Sequence, residues 1–133
     1  MTIGLDTGFF VELLRGNADA VEVWKNLVEG EDQGVCSALT LFEIERLGLK
    51  GAIRRDALES LLEAIPAVCV LLWIDRREIL SKAAGFSHGL GVPAVDALIL
   101  AAFHLAGVQH IYTTDSHMES CGAKGVSVHN LRP

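Results

Sequence analysis

Short, nearly continuous apolar runs alternate with segments of helical periodicity along this chain, and that alternation limits the folds open to it. Thr2-Ile3-Gly4-Leu5, Gly34-Val35-Cys36-Ser37-Ala38, Ala67 to Ile74 and His110 to Thr114 are the principal runs, and Val126-Ser127-Val128 is a last short one. Strands that are apolar without a polar alternate face are buried on both sides. Helices between such strands cover both faces, so the expected class is α/β with a central, mainly parallel sheet. A chain of 133 residues fits one domain, 1–133, with one good core.

The intervening segments carry their own signals. Phe9 to Leu14 reads as a helix closed by Gly16-Asn17. A second helix spans about Ala18 to Gly30, with Val21, Trp24, Leu27 and Val28 on one face. Thr40 is placed to cap a third helix, with Glu43 as its capping-box partner. A helix over about Arg54 to Ala64 should stop at Pro66, and Ala67 to Ile74 is the clearest buried strand. Asp75 reads as the cap of a helix through His88, and a further helix ends at Gly107. A short helix is expected over Ser116–Ser120.

Half of the residues are hydrophobic and the mean hydropathy is +0.37. The excess implies a buried sheet and an apolar surface kept for a partner or a second copy. The net charge of −6 argues against broad, nonspecific nucleic-acid binding. It is compatible with a nuclease, because acids gathered around a metal inflate the negative count. Cys36, Cys69 and Cys121 are scattered, with neither a disulfide framework nor zinc-ribbon spacing. Cys36 and Cys69 lie in strand-like runs and read as core. The first residues lack a basic-then-apolar signal, and the longest apolar stretch carries Pro93, Asp96 and His104. A cytoplasmic protein is expected.

Asp96 is the residue that asks for chemistry. It sits in Val92-Pro93-Ala94-Val95-Asp96-Ala97-Leu98-Ile99-Leu100-Ala101-Ala102-Phe103, with no basic residue nearby in sequence. A lone carboxylate in apolar surroundings is costly unless its charge is compensated. Asp6 and Asp115 directly follow strands, and Glu43 lies just after another. Sites in parallel α/β sheets form beyond the carboxyl ends of the strands, so Asp6, Glu43, Asp96 and Asp115 could converge. Their mutual repulsion is relieved by a cation, and oxygen-only donors favour Mg2+ or Mn2+ over Zn2+. Each acid also has a structural reading. Asp6 and Asp115 could cap the helices that follow, Glu43 could complete the capping box, and Asp96 could cap a late-starting helix.

Asp6-Thr7, Ser37-Ala38-Leu39-Thr40-Leu41-Phe42-Glu43, Pro93 to Ala101 and Thr113-Thr114-Asp115, in this order over the full length, resemble the PIN-domain ribonucleases. In size the chain is similar to the VapC-type toxins of toxin–antitoxin pairs. The resemblance implies a three-layer α/β/α fold and a metal-dependent endoribonuclease. Asp6 and Asp96 match the main Mg2+ ligands, Glu43 and Asp115 the other two acids, and Thr7 and Thr113 the hydroxyls that hydrogen-bond them. It also implies an RNA substrate, an antitoxin lying across the groove, and a homodimer. Two positions depart from the pattern. Gly8 stands where a polar or small residue is common, and a fifth acid is displaced to Glu119.

The remaining polar residues divide between functional and ordinary readings. His104 reads as core or interface, and His88, His110 and His129 as surface groups at element ends. His117, two residues past Asp115, is a candidate for substrate contact. Arg15, Arg46, Lys50, Arg54 and Arg55 are candidates for RNA phosphate, against solvated helix faces. Trp24 and Trp73 fit the core. The connection Gly48–Arg54 and its helix, with Leu58 and Leu62, is a candidate grip for a partner. Competing functions are a noncatalytic PIN-fold binding module and a receiver-type signalling domain with Asp75 as phosphoacceptor and Asp6 supplying Mg2+. The receiver reading lacks an acidic pair after the first strand and a lysine ending a late strand.

Overall fold

The computed structural model describes residues 1–119 and 125–133. Its order is β1 (Thr2–Leu5), α1 (Thr7–Leu14), α2 (Ala18–Val28), β2 (Gln33–Ser37), α3 (Ala38–Leu49) and α4 (Arg55–Val68). There follow β3 (Cys69–Leu72), α5 (Arg77–Leu90), α6 (Ala94–Leu105), β4 (His110–Thr113), α7 (Ser116–Glu119) and β5 (Ser127–Asn130). All strand pairs are parallel, in the order β3-β2-β1-β4-β5. The fold is the expected three-layer α/β/α arrangement around a parallel sheet.

Alternate residues of each strand serve opposite layers, as the period of a strand requires. Ile3, Leu5 and Cys36 join Phe9, Phe10, Ile44, Leu61 and Ile65 of α1, α3 and α4. Val35 and Ile111 instead join Ile79 and Ala83 of α5 and the buried run Ile99–Phe103 of α6. Each Leu, Ile or Phe so buried stabilises the fold by about 1.5–3 kcal/mol. Gly4 sits directly under α6, where a Cβ would lie 3.1 Å from the Phe103 ring.

The third strand differs from its expected form. β3 is the sheet edge, with Val70 and Trp73 exposed. It begins only at Cys69 because α4 continues through Pro66, its last turn anchored by the fully buried Ile65. It stops at Leu72 because that residue pairs with Ser37, the last residue of β2. Trp73, 61% exposed, is therefore surface rather than core. Asp75 does not cap α5, whose N-cap is Arg76 without a side-chain hydrogen bond. On α2 the buried residues are Ala20, Val23 and Leu27, while Val21 and Val28 face outward.

Cys36 and Cys69 are buried as expected, and burial pushes the Cys69 thiol up to about 12. Cys121 and the end of the expected Ser116–Ser120 helix lie outside the described residues. His110 and His129 are not simple surface groups. Their ring nitrogens are 2.9 Å apart, and His129 stacks on Tyr112. His104 packs edge-on against Phe86 at the side of α6.

Candidate active site

The chain turns left from β1 to β2 and right from β4 to β5, so β1 and β4 are neighbours at the point where strand order reverses. That is where ligand sites of open parallel sheets form. Asp6 leaves the end of β1 and Asp115 follows β4. α3 and α6 bring Glu43 and Asp96 to the same edge.

Asp6 is buried and does two structural jobs. One carboxylate oxygen, Oδ1, accepts the backbone N–H of Phe9 at 3.0 Å and so caps α1. The other, Oδ2, accepts the hydroxyl of Thr113. Burial nevertheless raises its pKa from 3.8 to about 6, against the opposing effect of those two hydrogen bonds. The capping reading of Asp6 is therefore true and incomplete. A cap needs a hydrogen-bond acceptor, but it does not need further half-buried acids beside it.

Glu43 is not a capping-box partner. Ser37 caps α3 by accepting the N–H of Leu39 at 3.1 Å, so the helix begins three residues earlier than a Thr40 cap would start it. Thr40 is a fully buried residue inside the helix, and Glu43 falls more than a turn in. Its Oε1 accepts the hydroxyl of Thr7 at 2.6 Å. Thr7 and Thr113 thus each hold one acid of the cluster.

Asp96 lies in the first turn of α6, whose N-cap is Pro93, so no side chain caps this helix. The amide end of a helix favours a carboxylate by a few tenths of a kcal/mol to about 1 kcal/mol. Burial and the adjacent Asp115 carboxyl overcome that, with Glu43 and Asp6 adding to the repulsion, and raise Asp96 from 3.8 to about 7. Asp115 is held by its backbone N–H, which donates to the Thr113 hydroxyl at 2.8 Å. Its Oδ1 accepts both the backbone N–H of His117, at 2.9 Å, and contact from His117 Nδ1, at 3.0 Å.

The structure therefore brings together all four acids and both threonines singled out in the sequence. Among the described residues, no Lys or Arg is ion-paired with any of the four. Carboxylates crowded without a counter-charge, two of them held well above the usual range, form a donor set that a hard divalent cation suits. Ligand atoms of Asp96, Asp115 and His117 lie within 4.8 Å of one another, a spacing one ion can bridge. Glu119, the displaced acid, is exposed at the end of α7. Asp75 is exposed beyond the edge strand, two strands away from Asp6, so the receiver arrangement has no acid pair.

Gly8 has a structural cause. A Cβ there would fall 2.0 Å from Thr114 Oγ1 and 3.0 Å from its backbone N. Glycine lets α1 start against the loop that carries Asp115. Beside Thr7 a cleft of about 330 Å3 is lined by Gly8, Arg15, Thr114 and Arg132 among others. The basic candidates are mostly engaged: Arg15 pairs with Glu12, Arg54 with Asp56 and Arg55 with Glu59.

The PIN-domain family model matches residues 3–124. The chain belongs to the PIN-domain family. No curated protein matches it significantly. Solved structures share this PIN domain's fold. A chain of VapBC2 from Rickettsia felis, bound to a DNA fragment from its promoter, superposes with a TM-score of 0.73 at 13% identity over 98% of both chains. VapC20 from Mycobacterium tuberculosis, a toxin that cleaves the sarcin-ricin loop, gives 0.70 at 20% identity over 94% of this chain and 98% of its own. A chain of FitAcB from Neisseria gonorrhoeae gives 0.65 at 22% identity over 97% of both.

Proposed function

We propose that this PIN domain is a Mg2+- or Mn2+-dependent endoribonuclease and the toxin of a toxin–antitoxin pair. The observation that carries the reading is the convergence of Asp6, Glu43, Asp96 and Asp115 at the strand-order reversal of the sheet, with no Lys or Arg ion-paired to any of them among the described residues. Asp6 and Asp96 are the principal ligands in this reading, and Glu43 and Asp115 complete the set. An ion held there would supply an acidified water and positive charge facing the phosphodiester.

The chain's own residues do the rest. Thr113 fixes Asp6 and the backbone of Asp115 through one hydroxyl. Thr7 fixes Glu43. Orientation of this kind is what lets a carboxylate present the same oxygen on every turnover. The cleft beside Thr7 gives a strand of RNA access to this edge, with Arg132 at its rim for phosphate.

Several of the structural relatives are toxin–antitoxin complexes, which supports a protein antitoxin as the partner. A groove of about 550 Å3 between α3 and α4 is lined by Leu49, Ile53, Leu58 and Leu62, and suits an apolar segment of such a partner. Replacing Leu58 and Leu62 with charged residues should abolish capture of the antitoxin in a pull-down, and unchanged capture counts against this groove. No helix of the described residues is long and apolar enough to cross a membrane, and a cytoplasmic homodimer completes the proposal.

The deciding experiment is RNA cleavage by the purified chain with Mg2+ or Mn2+, with EDTA, and with Asp96→Asn. The reading requires cleavage that needs the ion and disappears in a folded Asp96→Asn protein. Cleavage that survives in that variant removes Asp96 from the centre of the site, and no cleavage of any RNA pool together with no Mn2+ binding overturns the reading in favour of a noncatalytic binding module.

A further inference from the structure

The site contains a nitrogen donor as well as carboxylates. His117 Nδ1 lies 3.0 Å from Asp115 Oδ1, and the ligand atoms of His117, Asp115 and Asp96 are mutually within 4.8 Å. The 3.0 Å pair is hydrogen-bonded as it stands, and the 4.8 Å bound is only slightly wider than one octahedral shell, so small side-chain rotations let all three groups meet one ion. Adjacent donors about 2.1 Å from an octahedral centre are about 3.0 Å apart, and opposite donors about 4.2 Å. The backbone N–H of His117 also bonds Asp115 Oδ1, which keeps the imidazole and that carboxylate in one local frame. The imidazole is about half exposed, its side chain 54% accessible.

Given the metal-dependent reading above, we infer that His117 is a further ligand at this site and that the PIN domain prefers first-row transition ions such as Mn2+ and Co2+ to Mg2+. The preference follows from donor chemistry. Carboxylate and water suit Mg2+ and Mn2+ alike, whereas imidazole adds affinity that rises from Mn2+ toward Co2+ and Ni2+ and adds little for Mg2+. A site of four acids alone discriminates weakly. One imidazole in the set changes the ranking without changing the charge, because the neutral ring adds a donor and no negative charge.

Calorimetric titration of the chelator-treated full chain with Mg2+, Mn2+ and Co2+ tests this, alongside pulsed electron paramagnetic resonance of the Mn2+ complex for nitrogen coupling. His117→Ala and Asp96→Asn are compared with the wild type. The expected result is affinity rising from Mg2+ through Mn2+ to Co2+, with nitrogen coupling to bound Mn2+. In His117→Ala the coupling disappears and Co2+ affinity falls by roughly 10–100-fold, while Mg2+ affinity hardly moves. Mn2+ binding that Asp96→Asn abolishes, but that shows no nitrogen coupling and keeps its Co2+ to Mg2+ ratio in His117→Ala, overturns the His117 ligand and leaves the acid site standing. Failure of the wild type to bind any of the ions overturns both readings.

Discussion

The hydroxyl of Thr113 donates to Asp6 Oδ2 and, through the same oxygen, accepts the backbone N–H of Asp115. One buried side chain thus couples the acid that follows β1 to the acid that follows β4. Thr113→Val keeps the shape and removes the link. Asp6 loses a hydrogen bond that favours its charged form, and an N–H loses its acceptor. Thermal or urea unfolding should show a loss of about 1–3 kcal/mol. Divalent-ion affinity should fall as well, because a proton competes better for an Asp6 with a raised pKa. Wild-type stability and Mn2+ affinity in this variant would remove Thr113 from the site.

Gly8 is required by its neighbour and not by its own backbone. Gly8→Ala drives a Cβ onto Thr114, where both a hydroxyl and a main-chain nitrogen stand in the way. The hydroxyl can rotate, but the nitrogen cannot move without shifting the loop to Asp115. A stability loss of about 1–3 kcal/mol and weaker Mn2+ binding are expected. Thr114→Ala in the same chain should restore only part of both, since the contact with the backbone N persists. Full rescue would show that the hydroxyl alone carries the conflict.

The parts of this molecule legible in its sequence are those written locally. Asp6 and Asp115 announce themselves by standing directly after β-type runs, and Asp96 by standing alone among apolar residues. Contacts made by folding were not legible. Nothing in the order of residues pairs Thr7 with Glu43 or His110 with His129. The apolar run before Asp75 reads as the clearest buried strand, yet β3 is an exposed edge. Apolar content reports burial of some kind but carries no information on neighbour order. His117 was visible as a neighbour of Asp115, but its ring position depends on how α7 turns back onto the loop.

Thr40 shows how a local signal can mislead, and its variants separate the two readings by sign. Ser37, three residues earlier, offers the same cap chemistry at the end of β2, and α3 uses it. Thr40 is left inside the helix with a buried hydroxyl whose contact is the Cys36 thiol, a weak hydrogen-bond partner that falls outside strict geometry. Thr40→Val should therefore hold or raise the unfolding temperature, because a buried hydroxyl that meets only a weak thiol partner is removed at constant shape. A helix cap would instead cost about 0.5–2 kcal/mol when lost. Ser37→Ala should show that cost. The opposite ordering of the two variants would return the cap to Thr40.

The acid cluster should make stability depend on pH in a direction opposite to that of salt-bridged carboxylates. Asp96 is raised from 3.8 to about 7 by burial and by its acidic neighbours, and Asp6 moves the same way to about 6. Below pH 3.8 both folded and unfolded chains hold the proton, and Asp96 contributes nothing to the balance. Between there and about 7 the unfolded chain has released it while the folded chain retains it, so stability drains away as pH rises. Above about 7 both are ionised and the penalty is complete. In chelator, Asp96→Asn should gain on the wild type steadily from pH 4 to pH 8, as measured by paired denaturant titrations. At pH 8, Mn2+ at about a hundredfold excess over its Kd should stabilise the wild type by about 2.7 kcal/mol, and Asp96→Asn much less. A difference between the two proteins that stays flat with pH would mean that Asp96 is not held among its fellow acids.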